Sequence, residues 1–195
     1  MASAMPRSLV VCPGKECNMT DPTFETWAAE REIERVLRVY ARGVDRLDLD
    51  AVRECYWPDA QDWHGTFRGS RDDFMVWVEG RLGEFERTVH YLANTLIEVQ
   101  ADGDLARVET YAMAYHRIAG TVERGPADLW IGLRYLDRFE RRNGAWRIGA
   151  RVVTYDWKRE VEGQELALSP THVWSERGPG DPLHWILEVD LVGRE

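Results

Sequence analysis

The sequence lacks the hallmarks of several large protein classes. No apolar run approaches the roughly 20 residues that cross a bilayer, and the N-terminal apolar stretch is too short for a signal peptide. Lysine and arginine form no block and the formal net charge is −9, so a nucleic-acid partner is not expected. Cysteine occurs three times, an odd number that builds no disulfide framework. We expect a cytoplasmic protein with reduced thiols.

Motifs for metals and cofactors are missing as well. The five histidines contain no His-x-His or His-x-x-x-His pair. Asp45, His90 and His116 could assemble as ligands only from distant parts of the chain, so we expect no metal site. Neither a Gly-rich phosphate loop nor a Rossmann fingerprint occurs, and without Gly-x-Ser-x-Gly a nucleophilic serine has no support. We therefore predict no cofactor.

Aromatic residues are what the sequence has in abundance. It carries nine Trp and seven Tyr within 195 residues, and 44% of its residues are hydrophobic. This length and composition fit one domain with a sizeable core. Aromatic side chains also line pockets for flat apolar ligands. A small apolar molecule is therefore the expected partner.

One helix organises the N-terminal half. Apolar residues recur at helical spacing between Glu30 and Asp50, which gives one apolar face: Ile33, Val36, Leu37, Tyr40 and Val44. Asp21-Pro22 predicts the start of this helix and Leu47 its approximate end. Asp45 lies on or beside the apolar face, and a carboxylate that enters an apolar interior needs a partner. His90 is the best candidate.

The remaining elements are predicted from caps, alternation and turns. Asp48 caps a second short helix, and Ser70 caps a third. Short extended pieces surround Gly65, and Asn143-Gly144 is a strong hairpin signal. Long strands follow the third helix, at 89–99, 105–118, 127–141 and 145–156. We expect a flexible arm over 1–20, a domain over 21–157 and a tail over 158–195 that covers a pocket or forms an interface.

Helices followed by long antiparallel strands indicate an α+β fold. We expect a cone, in which a curved, mostly antiparallel sheet packs the N-terminal helices on its concave side. A pocket would lie at its mouth. The outer sheet face would serve a homo-oligomer, a dimer or trimer, with Trp130, Tyr135 and Trp146 as candidate contacts.

Four stretches in order carry a resemblance to a known family: Gly43-Val44-Asp45-Arg46, Trp57-Pro58-Asp59-Ala60, Val89-His90-Tyr91 and residues 139–148. Over about residues 25–157 the chain resembles the SnoaL-like branch of the nuclear-transport-factor-2-like superfamily. Members include scytalone dehydratase, hexachlorocyclohexane dehydrochlorinase, bile-acid 7-alpha-dehydratase and polyketide cyclases. In the eliminating members a strand histidine is the general base and a helix aspartate orients it. The resemblance places His90 and Asp45 in these roles.

The resemblance also implies further site residues. Tyr40 occupies the position of a dehydratase tyrosine, and Arg151 that of a dehydrochlorinase arginine, so both are expected to be catalytic. Their alternatives are a core tyrosine and a solvent-facing arginine. His116 corresponds approximately to a second dehydratase histidine. The predicted substrate-binding residues are His116, His64, Trp63 and Tyr91. The alternative for the two histidines is an ordinary, partly buried histidine with no role in binding. His172 and His184 receive no role beyond a lid contact.

Three functions fit these expectations. The first is a cofactor-independent lyase that removes water or another leaving group from an apolar polycycle, such as a steroid, a polyketide or an aromatic compound. The second is a cyclase or isomerase that uses the same acid–base logic. The third is a non-catalytic binder or scaffold resembling the β subunits of ring-hydroxylating dioxygenases. The combination of Asp45 and His90 favours an enzyme.

Overall fold

The computed structural model describes residues 10–12, 15–17, 23–163, 165 and 168–188. The helices of this part of the chain are α1 (Phe24–Arg46), α2 (Leu49–Glu54) and α3 (Arg71–Gly83). Its strands are β1 (Val10–Cys12), β2 (Lys15–Cys17), β3 (Tyr56–His64), β4 (Phe67–Ser70), β5 (Arg87–Val99), β6 (Leu105–Ile118), β7 (Ala127–Arg142) and β8 (Ala145–Glu162). Short 3-10 turns follow at Gly178–Gly180, Pro182–His184 and Ile186–Glu188.

Six of these strands form one open, curved sheet, in the order β4-β3-β8-β7-β6-β5. Neighbours run antiparallel except β3 and β8, which are parallel. Register shifts occur within the β5–β6 and β7–β8 pairs, and such bulges bend strands. With the helices packed against the sheet, this architecture confirms the predicted α+β cone.

Helix α1 forms as its apolar spacing predicts, with Ile33, Leu37 and Tyr40 nearly inaccessible to solvent. Its N-cap differs from the expectation. Thr23 is the cap, with its hydroxyl oxygen accepting the amide N–H of Thr26 at 3.2 Å. The predicted start at residues 21–22 lies outside the described residues. The helix ends at Arg46, and the following C-cap residue, Leu47, has a positive φ of 57° that stops the helical hydrogen-bond ladder.

The other predicted local signals are confirmed. Asp48 caps α2 by accepting the Ala51 amide at 3.1 Å, and Ser70 caps α3 by accepting the Asp73 amide at 3.3 Å. The β7–β8 turn holds Asn143 and Gly144 at φ values of 52° and 79°, as a two-residue hairpin requires. Strand β8 is longer than predicted and runs into the expected tail.

The core lies between the helices and the concave sheet face. Tyr135 and Trp146 are 1% and 4% exposed and belong to this core, so their prediction as outer-face contacts is wrong. Trp130 is half-buried, with its ring 4.8 Å from that of Tyr115. We call the opposite surface the outer sheet face. It carries partly exposed apolar side chains: Trp63, Tyr91, Tyr111, Met113, Val152 and Trp157.

The N-terminal segment is described only in part. Most of the predicted arm, residues 1–20, lies outside the described residues, and the described part pairs β1 with β2 as an antiparallel ladder. The side chains of Cys12 and Cys17 are likewise outside the description. Cys55 is a buried free thiol, and burial raises its pKa to about 12. A thiol with that pKa is a core group rather than a nucleophile.

Candidate active site

The last turn of α1 brings Asp45 against His90 at the start of β5. The Nδ1 atom of His90 lies 2.7 Å from Oδ1 of Asp45, with only 9% and 12% of the side chains exposed. The His90 backbone N–H donates to Oδ2 at 2.9 Å, and the Thr88 hydroxyl donates to Oδ1 at 3.1 Å. Three donors therefore hold one carboxylate, and the contact expected between Asp45 and His90 is present.

A cavity of about 130 Å³ lies on the inner side of His90. Its apolar wall residues come from α1, α3, the segment after α3 and the inner sheet face: Val44, Trp77, Val78, Leu82, Phe85, Ala114, Leu129, Ile131 and Leu133. Polar side chains also reach it: Tyr40, His64, Arg81, His90, His116, Tyr155 and Lys158. The structure thus gathers four predicted site residues, Tyr40, His64, His90 and His116, around one space.

His116 stands beside His90 as a neutral ring. The two ring centroids are 5.7 Å apart in an edge-on arrangement, and His116 also packs on Phe85 at 4.5 Å. Burial, followed by the repulsion of a charged His90, lowers the pKa of His116 to about 3. A ring with that pKa carries no proton to donate as an imidazolium at neutral pH. Its hydrogen-bonding capacity remains, because Nδ1 has no partner among the described residues.

Tyr40 and Arg151 take different positions relative to the cavity. Tyr40 lines the cavity, and burial raises the pKa of its hydroxyl, so that the hydroxyl stays protonated. Arg151 does not line the cavity. Its guanidinium is fully buried behind Tyr40, 4.2 Å from the ring centroid, and donates twice to Asp137 at 2.7 Å. The inward direction expected for Arg151 is present, but direct substrate contact is not supported by this placement.

Trp63 and Tyr91 lie outside the cavity, which corrects their assignment as substrate-binding residues. Each is next to a cavity residue in its strand, Trp63 before His64 and Tyr91 after His90. Successive side chains in a strand point to opposite faces. Trp63 is accordingly 46% exposed and Tyr91 54% exposed, both on the outer sheet face.

The sequence analysis did not predict several residues at the site. Thr88 supports Asp45, and Tyr155 and Lys158 line the cavity from β8. Asp62 is fully buried behind His64, with its Oδ1 atom 3.5 Å from Nδ1 of His64. The signal for Asp62 was its spacing, because residues i and i+2 of a strand share a face.

Residues 168–188 of the C-terminal tail contact both sides of the site, and we call this segment the strap. Arg177 donates through Nη1 to the carbonyl oxygens of Leu82 at 3.1 Å and Phe85 at 2.9 Å, at the end of α3. Nε of Arg46, next to Asp45 on α1, pairs with Asp181 at 3.0 Å. Exposed side chains of the strap include His172 and His184. These contacts place the strap beside the site, and the covering of the pocket by the tail stays a prediction.

Neither a metal-ligand cluster nor a membrane-spanning helix occurs among the described residues. Nowhere in this part of the chain do three or more His, Cys, Asp or Glu side chains converge in a way that could hold a metal ion. Among its helices, none combines the length and apolar character that a membrane crossing requires.

Comparison with solved structures identifies proteins that share this architecture. A hexachlorocyclohexane dehydrochlorinase of type 2 matches with a TM-score of 0.66 and 19% identity, over 76% of this chain and 98% of its own. A type 3 enzyme from Novosphingobium barchaimii gives 0.65 and 18%, over 74% and 98%. A candidate scytalone dehydratase from Novosphingobium aromaticivorans gives 0.60 and 21%, over 77% and 98%. At these identities the likeness shows the fold.

Comparison with curated protein sequences gave no significant match. The family model described as the SnoaL-like domain matches residues 25–152, which run from the first turn of α1 into β8 and include Asp45 and His90. The strap lies beyond the match. On this evidence, the chain belongs to the SnoaL-like family.

Proposed function

We propose that the protein is a cofactor-independent lyase that removes water from a small apolar ring compound, with His90 as general base. The observation that carries the proposal is the 2.7 Å contact between His90 Nδ1 and Asp45 Oδ1 at the edge of the cavity. A substrate with a carbonyl or activated ring and a hydroxyl on the β carbon would lose a proton to His90. The lone pair left behind would form the double bond as the hydroxyl departs.

The tautomer of His90 supports this role. A carboxylate only accepts hydrogen bonds, so the short contact requires the proton on Nδ1. Nε2 then carries the lone pair that accepts a substrate proton. Asp45 also stabilises the imidazolium that forms, because an opposite charge in contact favours the charged ring. The backbone of His90 and the hydroxyl of Thr88 fix the carboxylate, so that the base is oriented before substrate binds.

Tyr40 supplies the hydrogen bond to the oxygen that gains charge. Its raised pKa keeps the phenol proton in place, and a preorganised donor in a low-dielectric cavity stabilises a developing oxyanion. Arg151 acts from behind as a fixed positive charge that faces the Tyr40 ring at 4.2 Å. We assign Arg151 a positioning role and Tyr40 the contact with substrate.

The size of the cavity favours a small substrate over a steroid or a long polyketide. Pockets for drug-sized ligands usually enclose about 300–1,000 Å³, whereas this cavity encloses about 130 Å³. The same limit favours elimination over cyclisation, because cyclising a long chain requires space for its folded form. A single aromatic or alicyclic ring with a short functionalised side chain suits the walls of Trp77, Phe85 and Leu133.

The test is turnover of β-hydroxy ketones without added metal or nucleotide. We expect His90→Gln to lower the rate by about 10²–10⁴-fold, the usual general-base contribution. Asp45→Asn keeps the shape but removes the charge, and we expect a loss of at least about 10²-fold. Tryptophan fluorescence titration should show nearly unchanged ligand binding in both variants.

The matched control is Asp48→Asn, at another aspartate near the end of α1. Asp48 caps α2, and Asn caps a helix about as well, so this variant should keep wild-type turnover. Water loss that proceeds at the wild-type rate in both His90→Gln and Asp45→Asn would refute the proposal. Binding of the β-hydroxy ketones without turnover of any of them would instead favour a non-catalytic binder.

A further inference from the structure

A second histidine–carboxylate pair faces the same cavity. Asp62 is fully buried, and its Oδ2 atom accepts the Tyr56 hydroxyl at 2.7 Å. Its Oδ1 atom and the Nδ1 atom of His64 are 3.5 Å apart, and both lack a hydrogen-bond partner among the described residues. A buried polar atom without a partner needs an explanation, and catalytic hydrogen bonds are often long before substrate binds.

Strand β3 builds this pair by simple alternation. Asp62 and His64 are two residues apart and share the inner face, while Trp63 between them points outward. Aromatic packing fixes the His64 ring, which stacks on Phe74 with centroids 5.4 Å apart and lies 5.5 Å from the Trp77 ring. With Nδ1 directed at Asp62, Nε2 is the nitrogen left for the cavity that His64 lines.

Charge balance distinguishes Asp62 from the other buried charges of the described residues. Each of the others has an opposite partner, in the pairs Arg151–Asp137, Arg117–Asp128 and Arg46–Asp181. Asp62 has His64, a group that carries charge only when protonated. A buried ion is costly unless it is paired and hydrogen-bonded. A proton on Nδ1 of His64 would satisfy both orphaned atoms at once.

We infer that His64, held by Asp62, is the general acid of the reaction and protonates the departing hydroxyl. The inference rests on the proposed elimination. His90 Nε2 takes the proton from the α carbon, and that electron pair forms the carbon–carbon double bond. His64 enters the reaction as an imidazolium, with one proton on Nδ1 toward Asp62 and one on Nε2 toward the cavity. The bond from the β carbon to oxygen breaks, and the oxygen leaves as water with the Nε2 proton, which leaves His64 neutral with its proton on Nδ1. Solvent then returns a proton to His64 and removes one from His90.

A simpler arrangement would use His90 alone, which would pass the abstracted proton to the leaving group on the same face. The two histidine–carboxylate pairs argue for divided roles, because their carboxylates are held differently. Asp45 accepts three hydrogen bonds and fixes a neutral base, whereas Asp62 accepts one and retains a free oxygen toward His64. Leaving-group chemistry separates the two arrangements, because only a poor leaving group needs an acid.

The experiment compares two probes that differ only in the leaving group. They are the β-hydroxy ketone from aldol addition of acetone to benzaldehyde, and its O-acetyl ester. Both give benzylideneacetone, whose absorbance is followed, and release water or acetate. We expect His64→Gln and Asp62→Asn to lower the rate of elimination of the hydroxy ketone by at least about 10²-fold. Acetate departs without a proton, so the rate of elimination of the ester should fall by less than about tenfold.

Control variants separate this inference from the proposed function. His90→Gln should slow both probes, because both reactions begin with proton abstraction. Trp63→Phe, in the same strand but on the outer sheet face, should slow neither.

If His64→Gln slows the elimination of both probes equally, the histidine is merely structural. If it slows the elimination of neither probe, His90 acts alone. Either result overturns the inference while the proposed function stands. A wild type inert toward both probes, or unaffected by His90→Gln, would overturn the proposed function and the acid assignment with it.

Discussion

Acid destabilisation should originate in part from His116, which the fold keeps neutral. Burial and the neighbouring His90 lower its pKa to about 3, whereas a histidine in the unfolded chain titrates near 6.5. Between these values the unfolded chain binds a proton that the folded chain does not. The free energy of unfolding therefore falls as the pH drops below about 6.5, and the loss continues toward the folded pKa.

The size of the effect follows from these two pKa values. One pKa unit corresponds to about 1.4 kcal/mol. Between pH 7 and pH 5, protonation of the unfolded histidine should lower the free energy of unfolding by about 2 kcal/mol. This figure is set mainly by the unfolded pKa, and it holds for any folded pKa well below 5. The side chain is only 7% exposed, so solvent provides little screening.

Urea unfolding at the two pH values provides the assay. We expect His116→Gln to lose about 2 kcal/mol less than wild type between pH 7 and pH 5. The matched control is Leu129→Ala, which weakens the adjacent cavity wall without removing a titratable group. It should be less stable at both pH values but show the wild-type pH dependence. If His116→Gln shows the same pH dependence as wild type, the buried neutral ring is not the source of the effect.

Two further predictions concern the core and the outer sheet face. Asp137→Asn leaves Arg151 as an uncompensated buried charge and should lower the free energy of unfolding by about 3–5 kcal/mol. Glu54→Gln, which breaks the exposed pair with Arg147, should cost no more than about 1 kcal/mol, and urea unfolding measures both. We also predict a dimer or trimer through the outer sheet face, which Met113→Glu should dissociate. Light scattering at micromolar concentration tests this, and a monomeric wild type would contradict it.

Local sequence signals predicted the structure correctly where the interactions lie within one element. The apolar stripe of α1, the caps Asp48 and Ser70 and the Asn143-Gly144 turn all appear in the structure, because each depends on interactions within a few residues. The contact between Asp45 and His90 spans 45 residues, and here the resemblance to a family supplied what periodicity could not.

Strand parity explains why some side chains were placed on the wrong face. Trp130 and Tyr135 are five residues apart in one strand, so alternation alone puts them on opposite faces. The structure does so, with Tyr135 in the core and Trp130 outward. The same rule separates Trp63 and Tyr91 from the histidines beside them. These corrections required only consistent application of a period of two.

Alternation along a strand could not predict the ion-pair partner of Arg151. The two-residue turn at Asn143-Gly144 would, in a regular ladder, place Arg151 opposite Leu136, because each step away from the turn adds one residue to each strand. The observed partner is Asp137, since the β7–β8 register shifts by one residue between Arg138 and Phe139. A single bulge residue flips the pairing of everything beyond it. The bulge thus decides that a buried arginine meets a carboxylate instead of an aliphatic side chain, and a bulge leaves no reliable trace in periodicity.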